Sequence, residues 1–289
     1  MIAEAPVRDL YRFARTADVL PGPDALTDAH VAAYQRDGFV AVANVLTPAE
    51  VAEARAALYD LLHGRVAGYD DLQPEPEMKA AWPTMSADER ADAVRKVWQF
   101  VEHEPRLRAL ATTHRATQTI LARLVGENVR LIQDMALLKP PFIGTEKPWH
   151  QDMAYFGWGP PEKLIGVWIA LDPATPENGC MHVLPGTHSA GPVPHTHARD
   201  CQIPDARVDA DRDVMVPLAP GGALFFSALL HHGTPPNNSP HGRWALQFHY
   251  AGESATKMDR REHAALYFEN DLYAGCRGNL GTPLDELTP

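Results

Sequence analysis

The chain has 289 residues, 45% hydrophobic and 22% charged, which suits a soluble globular protein of one large or two small domains. Its 37 acidic against 26 basic residues, a net charge of −11, argue against a nucleic-acid binder, and no apolar run is long enough to span a membrane. The stretch MIAEAPVRDLYRFARTADVL reads as lacking a signal peptide, and Cys180, Cys201 and Cys276 are widely spaced, so a disulfide framework is not expected and a reduced cytoplasm fits best.

In chain order, LTDAHVAAYQRDGFVAV offers Thr27 as an N-cap and predicts a short helix stopped near Gly38, then a β-branched run. In LTPAEVAEARAALYDLLHG, Thr47 and Glu50 form a capping box and Pro48 suits the first helical position. Val51, Leu58, Leu61 and Leu62 fall on one face of that helix, and Gly64 can end it. Ser86 and Glu89 open another helix in SADERADAVRKVW, and PRLRALATTHRATQTILARLVGEN predicts one or two more. Residues 1–128 are therefore expected to be a mostly helical front.

From about residue 129 the pattern changes to short β-prone runs broken by Gly, Pro and Asn: VRLIQDMALLKPP, LIGVWIALD, GCMHVLPGTH, VMVPLAP, GALFFSALLHHG and RWALQFHYAG. They predict an antiparallel jelly roll over 129–254, with the helices packed on one outer face. Residues 187–213 read as a polar insertion, and the tail from 255 has no assigned place.

His150 and Asp152, in PWHQDMAYF, would share one face of a strand and could be a metal pair, an acid/base pair or neither. A distal histidine from LLHHG would complete two imidazoles and a carboxylate with open coordination positions, the set that favours non-haem Fe(II). Arg243, downstream, has the planar fork that holds the far end of a dicarboxylate, which points to 2-oxoglutarate.

These segments in this order resemble the phytanoyl-CoA dioxygenase-like Fe(II)/2-oxoglutarate oxygenases: LLKPPFIGTEKPWHQDMAYF, IGVWIALDPATPENGCMHVLPGTH and LLHHGTPPNNSPHGRWAL. The resemblance runs from YQRDGFVAV to RWALQFHYA and implies a double-stranded β-helix core within a single oxygenase domain. By position it implies His150, Asp152 and His232 as iron ligands, with His231 a packed neighbour. It implies Arg243 and Thr234 at the far carboxylate of 2-oxoglutarate, and Trp168 and Met135 lining the cosubstrate pocket. Lys96 matches a looser motif, and Gln133 would share a strand face with Met135. A carboxylate at 152, where related halogenases carry a small residue, implies hydroxylation or a related oxidation. The expected reaction consumes O2 and 2-oxoglutarate, releases succinate and CO2, and hydroxylates an unactivated carbon of a natural-product intermediate or an acyl-CoA. Desaturation, epimerisation or ring closure shares such a site, and a cupin-like binding protein is the reading from another class. No nucleic-acid or membrane partner is expected, and the oligomeric state is left open. His195 and His197 read as solvated loop histidines, and the Pro-Gly-Thr-His turn at His188 as structural.

Overall fold

The computed structural model describes residues 7–268, with two short paired stretches, Leu272–Tyr273 and Thr282–Pro283. Its helices are α1 Asp28–Asp37, α2 Pro48–Leu62, α3 Ala87–Ala91, α4 Pro105–Thr112, α5 Arg115–Val125 and α6 Arg260–Tyr267. The strands up to the first sheet edge of the core are β1 Val19–Leu20, β2 Phe39–Val42, β3 Leu72–Pro74, β4 Val94–Trp98, β5 Val129–Lys139 and β6 Lys147–His150. They are followed by β7 Trp158–Gly159, β8 Leu164–Ala170, β9 Met181–Val183, β10 Val214–Val216, β11 Ala223–Ser227, β12 His232–Thr234, β13 Arg243–Gly252 and β14 Thr256–Lys257.

The caps behave as the sequence predicts. Thr47 Oγ1 accepts from the Glu50 amide while Glu50 reaches back to the Thr47 amide at 2.8 Å, and Ser86 and Glu89 repeat the arrangement. Gly38 ends α1 in the left-handed conformation, φ +87°. Val51, Leu58, Leu61 and Leu62 of α2 are all buried. Each such side chain contributes about 1.5–3 kcal/mol by leaving water.

Two sheets form the double-stranded β-helix. The larger runs β1-β2-β11-β8-β13-β5-β4-β3 and the smaller β10-β9-β12-β6. Helices α2, α4 and α5 cover the outer face of the large sheet, where Ile165, Val167, Phe225, Leu246 and Phe248 meet Leu58, Leu107 and Leu121 in one core. A second core lies between the sheets and joins Trp168, Leu224 and Phe226 to Met181, Val183 and Val216.

The front is less purely helical than expected. It gives β1, β2, β3 and β4 to the large sheet, so residue 129 does not separate a helical layer from the jelly roll. The helix opened by Ser86 stops at Ala91, and Lys96, expected on it, lies on β4 paired with Leu137 of β5. The apolar side chains of Val94 and Val97 are buried there, and burial against a neighbouring strand overrides the helical cap upstream. Another departure is that β6 ends at His150 and Asp152 opens a turn of 3-10 helix.

Two expectations about polar segments are corrected. His195 is buried at 3% exposure, because the 187–213 insertion folds back on the core instead of standing in solvent. Its Nε2 accepts from the Gln151 amide, and its Nδ1 donates to the Val193 carbonyl at 2.7 Å. His197 is half-buried and stacks on Phe268. Cys201 is disulfide-bonded, against the expectation from spacing, while Cys180 is a buried free thiol. Separation along the chain does not measure separation in the fold. The tail has a place as far as Phe268: His263 of α6 donates to the Met153 carbonyl at 2.8 Å, and Ala264 and Tyr267 pack beside Met153.

Candidate active site

Strand pairing brings the distant histidines together. His232 and His150 are direct partners across the antiparallel β12–β6 ladder. Gln151 keeps an extended backbone, φ −110° and ψ 133°, so Asp152 still points to the side His150 faces although the strand has ended. The ligand atoms of His150, Asp152 and His232 all lie within 4.8 Å of one another, and the three residues are buried. His231, one residue away, is outside the group, as expected.

Hydrogen bonds fix which atoms face the centre. His150 Nδ1 donates to the Pro148 carbonyl at 2.8 Å, and His232 Nδ1 to the Leu230 carbonyl at 2.9 Å. A carbonyl only accepts, so both rings carry their proton on Nδ1 and present the Nε2 lone pair. Those nitrogens lie 3.4 and 3.5 Å from Asp152 Oδ1. Burial, then the neighbouring His232, push the His150 pKa down to about 3, so the ring stays neutral and able to coordinate. Burial alone would raise the Asp152 carboxyl, but His249, which lies 2.8 Å from its other oxygen, holds it well below the usual carboxylate range.

Sequence reasoning missed His249. Its Nε2 lies 2.8 Å from Asp152 Oδ2, and because that carboxylate only accepts, the imidazole donates. This leaves Oδ1 turned toward the two other imidazoles. The signal was present: on β13, residues 243, 245, 247 and 249 alternate onto one face, so a histidine an even number of residues from Arg243 belongs beside it.

Small residues and turns support these groups. A side chain at Gly166 would put its Cβ 2.5 Å from the Phe226 ring, and that ring packs 4.6 Å from the His232 ring. The Asn178 side chain binds the Thr175 amide and the Pro173 carbonyl, fixing a turn in which Gly179 takes φ +83°. The Gly179 carbonyl there accepts from Arg243 Nη1 at 2.7 Å. Gln151, between the two motif residues, bonds with the Gly191 and Leu229 carbonyls and the Val193 amide.

One cavity is lined by His150, Asp152, His232, Arg243, Lys96, Gln133, Met135 and Thr234, and also by His249. Arg243 is 1% exposed, its Nε has no protein partner, and burial pushes its pKa down to about 10. Trp168 differs from expectation. It is fully buried and does not line the cavity; its indole lies under the Arg243 guanidinium, 5.1 Å from ring centre to Cζ. It therefore supports the cation from below, a contact that orients a guanidinium.

A protein-family model described as phytanoyl-CoA dioxygenase (PhyH) matches residues 34–245. The chain belongs to that family. A probable phytanoyl-CoA dioxygenase of Caenorhabditis elegans is 25% identical over 234 residues, covering 76% of this chain and 73% of the relative. The structure of EvdO2 from Micromonospora carbonacea var. aurantiaca complexed with 2-oxoglutarate is 26% identical, with a TM-score of 0.62, covering 81% of this chain and 93% of that one. The non-heme alpha ketoglutarate dependent carbocyclase SnoK from nogalamycin biosynthesis is 24% identical with a TM-score of 0.62, covers 91% and 95% of the two chains, and shares the fold. This PhyH-family protein is thus an Fe(II)- and 2-oxoglutarate-dependent oxygenase that also consumes O2, and the cupin-like, non-enzymatic reading falls away.

Proposed function

We propose that this oxygenase hydroxylates an unactivated carbon of a small or medium organic molecule, either a natural-product intermediate or an acyl-CoA, within a single oxygenase domain. The observation that carries the reading is the convergence of His150, Asp152 and His232 in the same cavity as a buried Arg243. Two imidazoles that present Nε2 and a carboxylate suit Fe(II) and leave positions open for cosubstrate and O2. Bound iron supplies the oxidising chemistry, with 2-oxoglutarate lost as succinate and CO2.

The chain's own groups set the geometry. His150 and His232 offer Nε2, and Asp152 offers Oδ1 while His249 occupies Oδ2. Arg243 and Thr234 hold the far carboxylate of 2-oxoglutarate, and Gln133, Met135 and Lys96 shape the rest of its space. Burial makes the charge-assisted bonds to that carboxylate stronger than they would be in water.

The test is anaerobic loading with Fe(II) and 2-oxoglutarate, followed by O2. Succinate and CO2 should appear, and His150→Ala should lose both metal and turnover; unchanged metal binding in that variant sinks the assignment. Product mass separates hydroxylation, one oxygen gained, from the ring closure named for SnoK, two hydrogens lost. No helix among the described residues is long and apolar enough to cross a membrane. A cytoplasmic location stays part of the proposal. Because Cys201 is 1% exposed, fresh lysate is denatured before alkylation: a Cys201 that labels agrees with it, and one that does not places the chain in an oxidising compartment.

A further inference from the structure

A chain of net charge −11 surrounds this cavity with basic side chains: Arg95, Lys96, Lys139, Lys147 and Arg243 line it, and Asp152 is the one lining carboxylate among the described residues. Three of the five have work assigned, Lys96 in shaping the cosubstrate's space. Arg243 faces the cosubstrate, and Lys139 donates to the Thr145 carbonyl, where burial holds its amine well below the usual range.

Arg95 and Lys147 form a separate pair. Their side chains are only 11% and 16% exposed, and both contact Asp200 Oδ2, at 3.2 and 2.9 Å. Lys147 also donates to the Tyr155 hydroxyl, and the Tyr155 ring meets the His150 ring edge-on at 5.9 Å. The pair therefore sits next to the proposed metal. Asp200 feels Lys147, Lys96 and Arg95 together, so one carboxylate faces three cations. Glu75 is the next acid, 3.8 Å from Arg95, and it is also bonded to the Thr145 hydroxyl. Asp152 also acts on Lys147, but neither Asp200 nor Glu75 lines the cavity, so the wall facing the open space carries more cationic than anionic groups, and buried cations favour an anion beside them.

We infer that the substrate carries a free carboxylate, which binds at Lys147 and Arg95 beside Asp200 and holds the carbon to be oxidised near His150. Asp200 shows what the two cations accept, since its own carboxylate already bridges them. The inference rests on the oxygenase reading and narrows its substrate class, from any medium-sized organic molecule to an organic acid.

The experiment uses full-length protein loaded anaerobically with Fe(II) and 2-oxoglutarate, so that Arg243 is already engaged. Hexanoate, the uncharged hexanamide and inorganic phosphate are then titrated by calorimetry. Hexanoate should bind about tenfold or more tighter than hexanamide, the step that one charge-assisted contact supplies. Lys147→Met and Arg95→Gln should each erase that preference, Lys147→Arg should keep part of it, and Asp200→Asn should strengthen hexanoate binding. Equal binding of acid and amide, a preference for phosphate over hexanoate, or an unaltered preference in both Lys147→Met and Arg95→Gln overturns the inference. The 2-oxoglutarate titration on the same sample reads the oxygenase assignment separately. Should it fail, the acid–amide comparison on Arg243→Ala protein without cosubstrate, with and without Lys147→Met, still decides the carboxylate site.

Discussion

The two faces of β13 invite comparison. Toward the helices it presents Leu246, Phe248 and Tyr250, packed into the outer core. Toward the cavity it presents Arg243, Gln247 and His249. Both faces are dry, with Phe248 at 0% and Arg243 at 1% exposure. The helix-facing side gains stability from burial, while the cavity-facing side buries cations and imidazoles whose desolvation is unfavourable. The helices thus supply the stability that lets the opposite face hold polar chemistry out of water.

Asp152→Ala should have the largest effect on the cavity-facing side. It removes a proposed ligand and the partner of His249, so metal affinity should fall by about a hundredfold or more and turnover should vanish. The fold should persist; metal titration alongside circular dichroism checks both. Phe248→Ala, on the other face, should destabilise the protein by about 3–5 kcal/mol with metal affinity per folded molecule unchanged, read by denaturant melts. Arg243→Ala should raise the 2-oxoglutarate requirement by about tenfold to a hundredfold while iron still binds, read by cosubstrate titration.

Smaller effects sharpen the contrast. Burial pushes the His195 pKa down to about 3. The folded state thus resists protonation that the unfolded chain accepts near its ordinary value of about 6.5. This stability is complete above that value and is lost as pH falls from there toward 3. His195→Gln should flatten the acid limb of the melting curve, and an unchanged limb contradicts the assignment. Thr47→Ala, on the exposed cap of α2, should cost about 1 kcal/mol and leave every cavity measurement untouched.

Much of this was legible beforehand because the signals are local. Thr47 with Glu50 announced a helix start, and alternating apolar residues announced β8 and β13. The motif residues His150, Asp152, His232 and Arg243 were readable by resemblance. What escaped depends on contacts between distant segments. Lys96 was placed on a helix because the Ser86 cap is visible in sequence and the pairing of β4 with β5 is not. His195 looked solvated because its hydrogen-bond partner, the Gln151 amide, is remote in the chain. The basic cluster was hidden for the same reason: Arg95 and Lys147 meet only through the fold, over a carboxylate contributed by the insertion.

Gln151 stands between two of the groups that aim at one point, and its amide spans carbonyls at Gly191 and Leu229 and the amide of Val193. Lifting the long loop would break the Gln151 contacts to Gly191 and Val193, so the segment that joins His150 to Asp152 is tied to it. The loop and the two side chains flanking Gln151 therefore share one anchor.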